Sequence, residues 1–316
     1  MTLTIFEQLS GADKPWLTDG GLETSIIFHD GIDLPAFASF HLLESDEGLA
    51  AMDRYFERYI KLAEAADTGF VLDTATWRSG AFWGDELNRT EGEMETATRA
   101  ATAWAVALRD RSGQGGAPII VNGVVGPAGD GYAPDALWSG DDAEALHAKQ
   151  IKWMAEEGAD MISAVTFTHT GEAIGVVRAA RKAGLPVVVS FTVETDGRLP
   201  TGQTLGEAIA ETDAATDGGP DYYMVNCAHP DHFSTELSGG WTSRIGGVRA
   251  NASRMSHAEL DAAEELDDGN PEEFGHLHGE LAKVLPNLRV IGGCCGTDDR
   301  HVGCAARHVL AHSHAA

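Results

Sequence analysis

The stretch 158-GADMISAVTFTHTGEAIGVVRAARKAGLPVVVSFTV-193 decides the fold of this chain. It contains an apolar run over Met161–Phe167, an amphipathic stretch over Gly171–Ala183 and a second apolar run over Val187–Val193. Gly158-Ala159-Asp160 and Gly184-Leu185-Pro186, which precede the two runs, are typical helix C-terminal stops. Continuous β-branched runs on either side of a helix are typical of parallel strands covered on both faces. The stretch therefore predicts one strand–helix–strand unit.

The same alternation extends over the whole chain. The other predicted strands are Trp16–Gly20, Phe70–Thr76, Ile119–Val125, Tyr222–Cys227, Ile245–Arg249 and Val290–Gly293. The other predicted helices are Glu47–Ala66, Glu93–Asp110, Asp142–Glu157, Leu205–Thr216, His257–Leu266, Glu272–Val284 and Asp299–Ala311. Eight strands alternating with helices over about 300 residues predict a (β/α)8 TIM barrel. Because no linker-like segment or 20–50-residue repeat interrupts the pattern, we expect one domain over residues 1–316.

A doubly wound open sheet is the competing α/β fold. Its nucleotide-binding form has a G-x-G-x-x-G turn after the first strand. Gly20-Gly21-Leu22-Glu23 does not match that pattern. The barrel is the better prediction.

Composition and charge exclude several classes of partner. The 316 residues are 43% hydrophobic and carry a formal net charge of −27, which opposes binding to nucleic acid or to an anionic membrane. The N-terminus has no signal-peptide pattern, and no apolar run approaches 18 residues, so we expect a cytoplasmic protein. Four cysteines are too few for a disulfide scaffold and are better interpreted as thiols or metal ligands.

Chemistry in a (β/α)8 barrel is located at the C-terminal ends of the strands. Polar side chains and cysteines occur at these ends in every part of the pattern. They are Asp19, Asp73, Thr74, Thr76, Asn122, Thr166, His169, Glu194, Asp196, Asn226, Cys227, Asn251, Cys294 and Cys295.

Three of the four cysteines lie at these ends, which suggests a metal site. Cys227 ends the sixth strand, and Cys294-Cys295 follow the eighth within Gly292-Gly293-Cys294-Cys295-Gly296. Three thiolates on Zn²⁺ leave the fourth tetrahedral position open to a substrate thiol, which would lose its proton there and remain nucleophilic. The alternative is that these cysteines are small buried residues, which is our interpretation of Cys304 in the last helix.

Three segments resemble the signatures of the homocysteine S-methyltransferase family. They are Asp19-Gly20-Gly21-Leu22-Glu23-Thr24, Val225-Asn226-Cys227 and Gly292-Gly293-Cys294-Cys295-Gly296-Thr297, with Gly126-Pro127 as a weaker fourth. The resemblance implies a barrel, Zn²⁺ held by the three cysteines, and methyl transfer to the homocysteine thiol to give methionine. It implies that Asp19 holds the substrate amino group, that the backbone of Gly20 and Gly21 lies beside the amino-acid part, and that Asn226 supports the site. Thr76 is a further substrate-binding candidate.

Two positions depart from the family pattern. The family usually has a glutamate that pairs with the homocysteine amino group at the position of Val165, and the segment Arg249-Ala250-Asn251-Ala252-Ser253 lacks the family's usual Tyr-Pro-Asn pattern. Either another acid, Glu194 or Asp196, compensates, or the acceptor is a different thiol or a selenol. Glu172 is expected on the helix surface. A zinc- or thiol-binding protein without transferase activity is a further alternative.

The methyl donor is expected to be a small onium compound. A chain of this length has no room for folate or cobalamin modules, which leaves S-methylmethionine, S-adenosylmethionine or a betaine. Trp77 and Trp83 are candidates for an aromatic wall that binds such a cation. A metal-dependent hydrolase on the same barrel would need a His-x-His motif after the first strand, and the sequence has none there.

Overall fold

Eight parallel strands close into a barrel in sequence order in the computed structural model, which describes residues 3–112, 116–134 and 136–313. Every neighbouring pair is parallel, and β8 pairs with β1 through Trp16↔Val290 and Leu17↔Ile291. The strands are β1 (Trp16–Leu17), β2 (Phe70–Asp73), β3 (Ile119–Val125), β4 (Met161–Phe167), β5 (Val187–Phe191), β6 (Tyr222–Asn226), β7 (Ile245–Ala250) and β8 (Val290–Gly293). The predicted (β/α)8 barrel is confirmed.

The predicted bounds of β3, β4 and β8 agree with the structure to the residue, whereas β1 and β2 are three residues shorter than predicted. Beyond Leu17 the chain still bonds to the β8 side, through Thr18 N to Ile291 O at 2.9 Å and Gly293 N to Asp19 O at 2.9 Å. Only the pairing between β1 and β2 ends at Leu17. Asp19 therefore remains beside the end of β8 although it lies outside the strand.

Eleven α-helices occur in the described part of the chain. They are α1 (Ile5–Ser10), α2 (Leu22–Ser25), α3 (Asp46–Ala65), α4 (Glu91–Ser112), α5 (Gly140–Glu156), α6 (Thr170–Lys182), α7 (Leu205–Thr216), α8 (Pro230–Phe233), α9 (His257–Asp261), α10 (Pro271–Val284) and α11 (Asp299–Ser313). The long helices agree with prediction within about two residues at each end. The short helices α1, α2 and α8 carry too few turns to show a period in the sequence.

Helix α9 is the clearest error among the predicted helices, because it ends at Asp261 and not at Leu266. A capping box at Ser256 and Glu259 starts it. Acidic residues Glu264 and Glu265 follow, and negative charge is unfavourable at a helix C-terminus. The Ser253 hydroxyl then donates to Asp267 Oδ2 at 2.6 Å, which turns the chain back toward the barrel.

Two apolar layers support the barrel. One fills the N-terminal half of its interior and includes Trp16, Val71, Ile120 and Met161, with Leu9 of α1 packed against it. The larger layer lies between the strands and the surrounding helices. The C-terminal half of the interior is polar, which leaves that end available for a site. Among the described helices, none combines the length and apolarity that crossing a bilayer requires.

Candidate metal and thiol site

The three cysteines predicted as metal ligands lie together at the C-terminal end of the barrel. Their sulfur atoms are all within 4.8 Å of one another, and the Sγ atoms of Cys227 and Cys295 are 3.5 Å apart. Cys227 is buried, and Cys294 and Cys295 are partly exposed. Cys304 lies in α11, where its sulfur contacts Glu272 and Arg307. The structure therefore separates Cys304 from the other three, as the sequence predicted.

Asn226 organises the backbone around this cluster. Its Oδ1 accepts hydrogen bonds from Thr166 N at 3.0 Å and from the Ser190 hydroxyl at 2.6 Å, and its Nδ2 lies 3.8 Å from Cys294 Sγ. Thr166 and Cys227 both have left-handed backbone conformations, with φ of 66° and 56°. A β-branched residue in that region is strained. The Asn226 amide offsets this cost, and the turn at Cys227 directs its sulfur toward the pair from β8.

Glycines let the β1 and β8 ends approach each other. A Cβ atom on Gly21 would lie 2.6 Å from the Cys294 carbonyl oxygen, and Gly296 has φ of 76°. Gly21 N donates to Thr297 O at 3.0 Å, and Gly296 N donates to Thr24 Oγ1 at 3.2 Å. The segment from Gly21 to Thr24 is thereby held against the segment that carries Cys294 and Cys295.

The cysteine cluster favours a negative charge on Cys294. Hydrogen bonds from the Cys227 and Cys295 thiols lower the pKa of Cys294 well below its ordinary value, and the Arg249 charge and the Asn226 amide act in the same direction. The pKa values of Cys227 and Cys295 are raised in turn, because their protons are shared with Cys294. A thiolate already favoured in this way is ready to bind a soft metal ion.

Below the sulfurs, a buried arginine joins two aspartates. Arg249 Nη2 donates to Asp19 Oδ1 at 2.5 Å, Nη1 donates to Asp73 Oδ2, and Nε donates to Gly293 O at 3.3 Å. The second oxygen of Asp19 accepts from the Tyr55 hydroxyl at 3.2 Å. Burial raises the pKa of Asp19 to about 8, although the Arg249 charge opposes this shift. Arg249 belongs to the segment that departs from the family pattern. Its positive charge therefore pairs with Asp19, the residue predicted to hold the substrate amino group.

Tyr132 is a site residue that the sequence analysis missed. Its hydroxyl lies 3.2 Å from Cys227 Sγ and 3.7 Å from Cys295 Sγ. Its ring stacks on His257, with centroids 4.0 Å apart. The His257 ring nitrogens lie 2.9 Å from Glu194 Oε1 and 2.8 Å from Cys227 O. An aromatic residue in the loop after β3 was the available sequence signal, but such residues are common and nothing local marks this one.

The loop that carries Tyr132, residues 126–134 and 136–139, is anchored by buried polar groups. Glu172 Oε1 accepts from Ala128 N at 2.7 Å and lies 2.9 Å from His147 Nε2. The Trp138 N–H donates to His169 Nε2 at 3.0 Å. The prediction that Glu172 lies on the helix surface is wrong: it is 1% exposed. The first turn of α6 faces this loop, so a carboxylate there binds a loop amide instead of water.

The two tryptophans predicted to contact the donor enclose an arginine. The Arg78 guanidinium carbon lies 3.9 Å from the ring centroids of both Trp77 and Trp83. Arg78 Nη1 also donates to Gly129 O at 2.9 Å, while Trp77 Nε1 donates to Val165 O at 3.0 Å. One face of each ring is therefore already occupied by a cation of the protein itself. Trp83 is also buried.

Two further predicted residues lie away from the sulfurs. Thr76 has no exposed surface, and its hydroxyl donates to Val124 O at 2.7 Å and lies 3.4 Å from Met154 Sδ of α5. Its side chain therefore faces the helix layer, because the chain turns after β2. Asp196 is exposed and accepts from Arg198 N at 3.1 Å within a turn. Glu194 is occupied by His257, so neither predicted compensating acid is both close to the sulfurs and free of a partner.

The family model for homocysteine S-methyltransferases matches residues 16–309, which include every strand and all three clustered cysteines. The chain belongs to the homocysteine S-methyltransferase family. Within this family, curated relatives include the methionine synthase of Mycobacterium tuberculosis, 31% identical over 162 residues that make up 47% of this chain and 13% of that protein. The S-methylmethionine–homocysteine S-methyltransferase of Rattus norvegicus is 27% identical over 247 residues, 71% of this chain and 63% of the rat enzyme. The chain thus spans less than two thirds of these family members.

Solved structures of a bacterial homocysteine methyltransferase share the fold. The oxidised form of MmuM from Escherichia coli superposes with a TM-score of 0.71 at 18% identity, covering 96% of this chain and 99% of that one. The metallated form gives a TM-score of 0.68 at 19% identity, covering 95% and 98%. Matches over the full length of both chains confirm the barrel and its order of elements.

Proposed function

We propose that the protein is a zinc-dependent S-methyltransferase that transfers a methyl group from a small onium donor to the homocysteine thiol, giving methionine. The observation that carries this proposal is the cluster of three sulfur atoms within 4.8 Å of one another at the C-terminal end of the barrel. It occurs in a chain of the homocysteine S-methyltransferase family, at the end of the fold where catalysis takes place.

The cluster fits a zinc ion. A tetrahedral site with Zn–S bonds of about 2.3 Å has its sulfurs about 3.8 Å apart. The sulfurs of Cys227 and Cys295 are 3.5 Å apart, so small side-chain rotations suffice. Three thiolates are a donor set typical of zinc, and three protein ligands leave one position open, as in catalytic sites. The metallated form of the Escherichia coli relative is consistent with a metal in this fold.

In the proposed mechanism, bound zinc lowers the pKa of the entering thiol and leaves its sulfur nucleophilic at neutral pH. The protein supplies the rest of the arrangement. Asn226 orients Cys294, the Arg249 charge offsets part of the negative charge of the sulfurs, and Tyr132 closes the site from the loop side. Because Asn226 holds Cys294 in place, the acceptor sulfur would be bound at one point, which is the main requirement of a displacement reaction.

The reaction itself needs no acid–base pair. The acceptor thiol loses its proton to solvent water, and its sulfur lone pair attacks the methyl carbon in line with the bond to the leaving atom. That bond breaks, and its electron pair leaves with the donor as a neutral sulfide or amine. The rat relative is named for S-methylmethionine, and we propose a donor of this onium class, with S-adenosylmethionine or a betaine as the other candidates. A net charge of −27 favours the approach of such cations.

Metal analysis tests the zinc site. The purified protein should contain about one zinc per chain, and Cys227→Ser, Cys294→Ser and Cys295→Ser should each lose most of it. Cys304→Ser is the matched control, since this thiol is remote from the cluster, and it should retain full occupancy. Unchanged zinc in the three cluster variants, or an equal loss in the control, would refute the site.

A transfer assay tests the reaction. The zinc-loaded protein is incubated with homocysteine, other thiols and a selenol, each crossed with S-methylmethionine, S-adenosylmethionine and glycine betaine, and the methylated products are measured by mass spectrometry. We expect methionine from homocysteine with at least one donor. Turnover only with another acceptor would keep the chemistry and replace the substrate, whereas zinc binding without any turnover would indicate a thiol-binding protein.

A further inference from the structure

The guanidinium of Arg78, in the loop after β2, is a buried cation at the C-terminal rim of the barrel. Arg78 is 9% exposed, and no carboxylate in the described part of the chain forms an ion pair with it. Burial lowers the pKa of Arg78 to about 10, and the charges of Asp130, Glu86 and Glu23 oppose this shift from a distance. The side chain is therefore charged at neutral pH. A buried arginine normally has an anionic partner at hydrogen-bond distance.

Most of the hydrogen-bonding capacity of this guanidinium is unused. Arg78 Nη1 donates to Gly129 O at 2.9 Å and lies 3.5 Å from Pro127 O. Its Nε is buried without a hydrogen-bond partner, and none of the described residues accepts from Nη2. Trp83 Nε1, in a ring that covers the guanidinium, is also buried without a partner. Because buried N–H groups nearly always have an acceptor, these nitrogens indicate a ligand that supplies one.

The geometry of the unused edge fits a carboxylate. Nε and Nη2 lie on one side of the planar guanidinium, where they can donate two parallel hydrogen bonds to two oxygens. The rings of Trp77 and Trp83 fix that plane, since Arg78 Cζ lies 3.9 Å from both centroids. Trp83 in turn packs in a buried apolar cluster with Phe40 and Met94. The guanidinium is therefore already ordered before a ligand binds, which favours affinity.

Two aromatic side chains connect Arg78 to the cysteine cluster. The Trp77 ring, which is half-buried, lies on one face of the guanidinium. A Cβ atom on Gly131 would lie 3.5 Å from Trp77 Cζ2, so the other end of this ring contacts the backbone next to Tyr132. The Tyr132 hydroxyl lies 3.2 Å from Cys227 Sγ. Arg78 is thus close to the sulfurs without contacting them, as a group that binds the far end of a substrate would be.

We propose that Arg78 binds the carboxylate of the methyl donor through the Nε and Nη2 edge of its guanidinium. The inference rests on the proposed function and names the donor class: an onium compound that also carries a carboxylate, as S-methylmethionine, S-adenosylmethionine and glycine betaine all do. The amino-acid part of the acceptor is expected beside Gly20 and Gly21 at the end of β1. Arg78 follows β2 and bonds to the loop after β3, so it faces the remaining part of the rim, which is left for the donor.

Donors that differ only in the carboxylate test this role. S-methylmethionine and glycine betaine are each compared with their carboxamides by calorimetric binding to the zinc-loaded protein. We expect the wild type to bind at least one of the two acids about 10- to 100-fold more tightly than its carboxamide, the typical effect of a charge-assisted hydrogen bond. Arg78→Met keeps an apolar chain between the two rings, and it should abolish this preference. Its Kd for homocysteine should change less than about twofold.

Two further variants keep the result specific. Arg54→Met is the matched control, because this arginine of α3 has a side chain that is 60% exposed, and it should leave the preference unchanged. Arg78→Lys keeps the charge but cannot form the paired bonds, so the preference should fall about three- to tenfold. Circular dichroism melting shows whether each variant is folded, and Arg78→Lys replaces Arg78→Met should the latter fail to fold.

Several results would overturn the assignment. Equal affinity of the wild type for both acids and their carboxamides would do so without any variant. Equal weakening of acid and carboxamide by Arg78→Met would show a structural role only. Weaker binding of homocysteine with unchanged donor binding would assign the carboxylate to the acceptor instead.

Binding and turnover separate this inference from the proposed function. If the wild type methylates no thiol, the transferase proposal fails, and a preference for the carboxylate that depends on Arg78 would still support the anion site. If the wild type methylates homocysteine with the same KM for an acid and for its carboxamide, and binds the two equally, the Arg78 assignment fails and the transferase proposal stands.

Discussion

Replacing Arg249 by methionine is the perturbation with the largest expected effect on stability. Arg249 is 6% exposed, and its guanidinium is the cation shared by Asp19 and Asp73. Its removal leaves two carboxylates facing each other inside the barrel. Removing one partner of a buried ion pair typically costs about 3–5 kcal/mol, since the remaining charge stays desolvated. We expect a loss of this size at pH 8.5.

The loss should shrink as the pH falls. Burial already raises the pKa of Asp19 to about 8 in the presence of Arg249, and losing the arginine raises it further. An acid whose folded-state pKa is raised contributes stability below its unfolded pKa, near 4, and this stability disappears as the pH rises through the folded value. At pH 5 Asp19 of the variant is protonated. The cost is then limited to lost hydrogen bonds, about 1–3 kcal/mol.

Urea unfolding at pH 5, 7 and 8.5 measures this effect. Wild type and Arg249→Met are compared in chelator and reductant, so that metal binding does not contribute. Asp19→Asn and Asp73→Asn in the Arg249→Met background remove the unpaired charges and should abolish most of the pH dependence. A cost below about 1 kcal/mol at pH 8.5, or a cost that grows toward pH 5, would refute the assignment of Arg249 as the shared counter-ion.

Three further predictions test other parts of the structure. Tyr132→Phe removes a hydroxyl that lies 3.2 Å from Cys227 Sγ. An entering thiol must replace the contact between the Tyr132 hydroxyl and Cys227. The Kd of the acceptor should therefore fall about three- to tenfold in Tyr132→Phe, with little change in melting temperature. An unchanged or higher Kd would show that the hydroxyl does not compete with the thiol. Glu172→Ala should destabilise the protein by about 2–4 kcal/mol and increase proteolytic cleavage in the loop after β3, whereas exposed Glu47→Ala should do neither. Burial lowers the pKa of His278 to about 4. The free energy of unfolding should therefore be highest above pH 6.5 and decline by up to about 3 kcal/mol as the pH falls toward 4. His278→Phe should remove this decline, and an unchanged acid transition in that variant would show that another group causes it.

Much of the fold could be predicted because its signals are local. A buried parallel strand such as β4 needs a continuous apolar run, and the helix that follows needs an amphipathic period, so the 158–193 stretch shows both elements. Strand ends were harder to predict, since apolar or β-branched residues continue past the last ladder bond of β2 and β5. The length of α9 was wrong because acidic residues and a contact between Ser253 and Asp267 end it.

The cysteine cluster was predictable for a similar reason. Parallel strands in a barrel bring their C-terminal ends to one rim, so Cys227 and the Cys294-Cys295 pair had to lie on the same side of the molecule. The direction of the Thr76 side chain could not be predicted, because residues alternate between the barrel interior and the helix layer, and the turn after β2 shifts that alternation. A sequence pattern gives the strand end but not the direction of a side chain beyond it.

The sequence by itself determined the order of strands, the closure of the barrel and the rim at which three thiols meet. These properties depend on hydrophobic period and on cysteine position, which are read along the chain. Only the tertiary structure decided which charges pair. Arg249 lies 230 residues from Asp19 and 176 residues from Asp73, and Tyr132 lies 95 residues from Cys227. The energy of a buried charge depends on its nearest neighbours in space, so the pairing of Asp19 with Arg249 is a consequence of packing.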